Sequence, residues 1–116
     1  MTDAQLLEAL RGATRGLTYM SESDYPFEVF DWGAAEPTPE FLRGLDGGDA
    51  DAPVETRTAD EFFRGANSFQ TLRRLLEENL SDLKVFRVGA INVAVYVAGR
   101  AASGSWLGVS TRVVET

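Results

Sequence analysis

The stretch that decides the fold is residues 84–116, "KVFRVGAINVAVYVAGRAASGSWLGVSTRVVET". Its apolar residues recur at every second position, the spacing of a strand whose side chains alternate between two faces. Gly89 and the "AASGS" tract interrupt that period with turn chemistry, so the stretch reads as three successive strands, 84–89, 91–100 and 105–116, in an antiparallel meander. In the central strand Ile91, Val93, Val95 and Val97 share one face, and Ala94, Tyr96 and Ala98 share the other. A sheet that is apolar on both faces must be covered on both.

The rest of the chain supplies that cover. Residues 2–15 predict a helix: Thr2 and Gln5 have capping-box spacing, Leu6, Leu7, Leu10 and Ala13 recur at helical intervals, and Gly16 stands where the helix should end. "PFEVFDW" (26–32) predicts a strand with Phe27 and Val29 on one face and Phe30 and Trp32 on the other. Residues 33–53 hold three of the four prolines and several glycines. This predicts an irregular, mobile connection with at most a short helix opened by Thr38 and Pro39. "VETRT" (54–58) suits a short edge strand, and Thr58 with Glu61 opens a short helix over 59–66. Asn67 or Ser68 is expected to cap a longer helix through Leu80, with Phe69, Leu72, Leu75, Leu76 and Leu80 as its apolar stripe and Arg73, Arg74, Glu77 and Glu78 on its outer face. The fold class expected is α+β, a three-layer α/β/α sandwich around a mostly antiparallel sheet, with residues 1–116 forming a single domain.

Composition narrows the function. At 116 residues and 44% hydrophobic content the chain suits one core. It has no run near the ~18 apolar residues of a membrane span, and "MTDAQLLEALRG" lacks a signal-peptide pattern, so the expected location is cytoplasmic. There is no cysteine and no histidine. Disulfides, thiol nucleophiles, thiolate metal sites and the commonest general base and metal ligand are all missing. A serine nucleophile would have to use a carboxylate, Lys84 or a tyrosine as its base, and no spacing groups them. "GRAASGSWLG" (99–108) lacks the strand, loop, helix and lysine of a phosphate-cradling loop. "DGGDAD" (46–51) lacks the length and terminal glutamate of a calcium loop. No cofactor and no metal site of the chain's own is expected.

Charge is uneven. The formal net charge is −7, yet residues 20–63 carry twelve acids against Arg43 and Arg57, a net −10, while residues 64–116 carry seven bases against four acids. Such a field repels nucleic acid and anionic lipid and favours a basic protein partner, although acidity also serves solubility, including in a salty cytoplasm. Two regions remain for function. In "SESDY" (21–25) the plain reading is a turn in which Ser21 or Ser23 bonds its own backbone, with Glu22 and Asp24 hydrated and Tyr25 packed on the sheet edge. In "STRVVET" (110–116) the strand pattern holds through Val113 and Val114, so Glu115 and Thr116 should be held rather than frayed.

"GLTYMSESDYPFEVFDW" and "VFRVGAINVAVYVAG…LGVSTRVVET" resemble the nuclease A inhibitor family, through the first helix, the "MSES" strand entry, the "FF" helix and the three final strands down to "VVET". The resemblance implies a nuclease A inhibitor-like, PR-1-like fold. It also implies an inhibitor, not an enzyme, that plugs the active site of a magnesium-dependent, sugar-nonspecific DNA and RNA nuclease. Matched position by position, Glu22 and Thr116 are implied to reach the partner's magnesium region, with Ser21, Ser23, Asp24, Tyr25 and Glu115 beside them. The chain departs from the family at 64–68, where "RGANS" replaces a longer acidic, tryptophan-bearing segment, so one family contact region is missing. The alternative is an acidic interaction module of the same fold with a different basic partner. A domain using a small-ligand or catalytic pocket beside the sheet is a third reading.

Overall fold

In the computed structural model, which describes residues 2–15, 18–19, 25–45, 53–63, 69–89 and 92–114, helix α1 spans Asp3–Thr14 with Thr2 as its N-cap. Both halves of the capping box are made. Gln5 N–H donates to Thr2 Oγ1 at 3.2 Å, and Thr2 N–H donates to Gln5 Oε1 at 2.8 Å. Thr2→Ala is therefore expected to lose about 1 kcal/mol of stability, measurable as a lowered thermal midpoint. Gly16, the expected terminator, lies outside the described residues.

The meander forms the centre of a five-stranded sheet. Strands β5 (Ser81–Val88), β6 (Asn92–Arg100) and β7 (Trp106–Val114) are flanked by β3 (Glu28–Gly33) and β4 (Val54–Arg57), in the order β3-β7-β6-β5-β4. Every neighbouring pair is antiparallel. β6 and β7 pair without interruption from Asn92↔Val114 to Arg100↔Trp106. One-residue slippage would exchange their faces, so the alternating pattern fixes this register. β4 is an edge strand, as its sequence suggests.

Two corrections concern element ends. β5 begins at Ser81, earlier than the period suggests, because its pairing with β6 shifts between Ser81 and Lys84 and Asp82 has φ 52°. That irregularity breaks the alternation by which a strand is read. The strand expected over 26–32 is also divided. Tyr25–Pro26 (β2) pairs with Thr18–Tyr19 (β1) in a separate two-stranded ribbon, while Glu28–Gly33 pairs with β7.

Helices cover both faces. α1, α3 (Ala59–Phe63) and α4 (Gln70–Asn79) supply Leu6, Leu10, Phe62, Phe63, Leu72 and Leu76 to the face carrying Val85, Val93, Val95, Val97, Leu107, Val109 and Val113. On the other face α2 (Pro39–Leu45) sets Leu42 against Phe86, Val88, Ala94 and Ala98, beside Phe30, Trp32 and Tyr96. The molecule is thus the α+β, three-layer arrangement around an antiparallel sheet. Thr38 and Thr58 open α2 and α3 in the same way, their hydroxyls accepting the N–H of Phe41 at 3.2 Å and Glu61 at 3.1 Å. α4 differs. Its N-cap is Phe69, with no side-chain capping bond, and the expected caps Asn67 and Ser68 lie outside the described residues. Phe69 is buried among rings, so tertiary packing rather than a hydroxyl sets where this helix starts.

Candidate functional site

Of the residues that the sequence singles out, Ser21, Glu22, Ser23, Asp24, Glu115 and Thr116 lie outside the described residues. Tyr25 is in β2, its backbone opposite Tyr19. The framework on either side of them is described, and its topology is informative. β1 and β2 leave a short connection, 20–24, between them, and this ribbon lies against β7. Because Glu28 pairs with Ser110 and β3 runs antiparallel to β7, the chain preceding Glu28 approaches the C-terminal end of β7. Covalent reach alone keeps Glu22 within about 11 Å of Tyr25, and Thr116 within about 7 Å of Val114, between Cα atoms.

Other crossings open at the same end of the sheet. Val114 pairs with Asn92, Ala94 with Val88, and Val88 with Val54. Gly89 N–H donates to Pro53 O at 3.0 Å, which ties the β5–β6 turn to the entry of β4. Five strands at ~4.8 Å spacing make this end roughly 20 Å wide. The segments entering and leaving it include Glu22, Asp24, Asp46, Asp49, Asp51 and Glu115. At the opposite end the 101–105 turn carries no acid, and its Ser103 hydroxyl donates to Asp3 Oδ2 at 2.6 Å.

The outer face of α4 offers the other charged feature. Arg73 bonds Glu77 and, at 2.9 Å, Asp60 across to α3. Those bonds, Glu77's first, raise the Arg73 guanidinium above its ordinary pKa. A groove of about 270 Å³ is lined by Gln70, Arg73, Arg74, Glu77 and Glu78. It brings no base to a nucleophile. Among the described residues no cluster of three or more Asp or Glu could hold a metal ion, and no helix is long and apolar enough to cross a membrane.

The sequence profile of the nuclease A inhibitor-like protein family matches in two blocks, residues 4–68 and 64–116. The chain belongs to that family. The two blocks meet at 64–68, where "RGANS" makes the short crossing noted in the sequence. None of the curated proteins matches the chain. The family is one of inhibitors, in keeping with a protein that is not an enzyme, and it implies a nuclease as the general kind of partner.

Sequence reasoning missed two features of this site's framework. One is the β1–β2 ribbon. Its signal is weak but present, a Thr-Tyr pair and a Tyr-Pro pair flanking five residues without a large apolar side chain other than Met20. Two residues are too few to show a strand period. The other is a cluster of four phenylalanines, Phe27, Phe62, Phe63 and Phe69, which joins the start of β3 to α3 and α4. No local spacing could have revealed it, because its members come from three elements.

Proposed function

We propose that this protein is a stoichiometric inhibitor of a magnesium-dependent, sugar-nonspecific nuclease in the cytoplasm of the cell that makes it. Glu22 and the terminal Thr116 enter the enzyme's phosphate-binding centre and approach its magnesium. Ser21, Ser23, Asp24 and Glu115 form the acidic rim, and Tyr25 is the aromatic anchor of the contact. The observation that carries this reading is that the ribbon holding 20–24 lies against β7, the strand that leads into 115–116. Family membership supplies the class of partner.

The mechanism follows from the chemistry of such a centre. A site preorganised to stabilise charge on a transferring phosphate attracts a carboxylate placed in the same position. The carboxylate offers no scissile bond, so binding energy that would lower a barrier instead holds the enzyme idle. The surrounding acids speed encounter with the positively charged groove that a nuclease presents to nucleic acid.

Titrating the purified protein into such a nuclease, with DNA and RNA as substrates, should remove activity linearly to a break at one inhibitor per enzyme. Raising salt from about 50 to 500 mM should slow association far more than it speeds dissociation. Full nuclease activity at excess inhibitor would refute the reading. The short 64–68 crossing favours one competitor, an acidic module with another basic protein as its target, which predicts that outcome together with binding elsewhere.

A further inference from the structure

We draw no further inference here: the strongest candidate, the half-buried aromatic cluster of Phe30, Trp32, Phe41 and Tyr96 on the sheet face that α2 packs against, shares that face with charges of both signs, Glu28 and Lys84, and nothing in the structure shows what covers it.

Discussion

Glu22→Ala is expected to weaken nuclease inhibition by about 2–5 kcal/mol, some 30-fold to several thousand-fold in the inhibition constant. The size follows from what is left behind. A carboxylate buried against metal and cationic groups satisfies charges that water cannot reach once the complex forms, so its removal strands them. Glu22→Gln separates the two contributions, since it keeps the shape and removes the charge. If charge dominates, Gln should lose nearly as much as Ala. Glu40, exposed in the first turn of α2, is the matched control. It belongs to the helix on the other face of the sheet, and Glu40→Ala should change inhibition by less than about 0.5 kcal/mol. Equal losses at Glu22 and Glu40 would mean a diffuse electrostatic contact rather than a plug.

The largest expected effect on stability lies at Gly108, the third residue of β7. A Cβ built there would stand 1.9 Å from Val97 O and 3.0 Å from Val97 C, both backbone atoms of the neighbouring strand. Backbone cannot swing aside as the tip of a flexible side chain can. Accommodating alanine therefore requires β6 and β7 to separate, along the longest uninterrupted pairing in the sheet. Gly108→Ala should cost at least about 3 kcal/mol, a large share of the ~5–15 kcal/mol that stabilises a typical domain. Gly104 provides the contrast. It has φ 95° in the 101–105 turn, with nothing within 4 Å of a built Cβ. Gly104→Ala should therefore cost about 1–2 kcal/mol, from backbone strain alone. Chemical denaturation of the two variants separates steric exclusion from strain, and a Gly108→Ala protein no less stable than Gly104→Ala would contradict the close approach.

What could be read in the sequence was whatever repeats with a local period. The meander, the apolar stripe of α4 and the capping boxes all have one, and the alternation of Val93, Val95 and Val97 against Ala94, Tyr96 and Ala98 assigned both faces of the central strand correctly. Boundaries set by tertiary contacts were hidden. Phe69 starts α4 through ring packing, Asp82 carries the irregular entry to β5, and β1 and β2 are too short to show alternation. The candidate site was legible as chemistry and as family pattern: acids beside an aromatic residue, and a strand pattern reaching almost to the last residue. What the sequence could not show is that the ribbon carrying the first of these leans on the strand that leads to the second. That relation depends on β3 pairing with β7 across most of the chain.

The central claim is that Glu22 and the chain's last residue act on one spot in the enzyme. A double-mutant cycle tests it most directly, comparing Glu22→Ala, a protein lacking Thr116, and the combination of both against the same nuclease. Two groups that share one metal centre should be coupled, with the combined loss smaller than the sum of the single losses by at least about 1 kcal/mol. Strict additivity would place them at separate contacts and contradict the account.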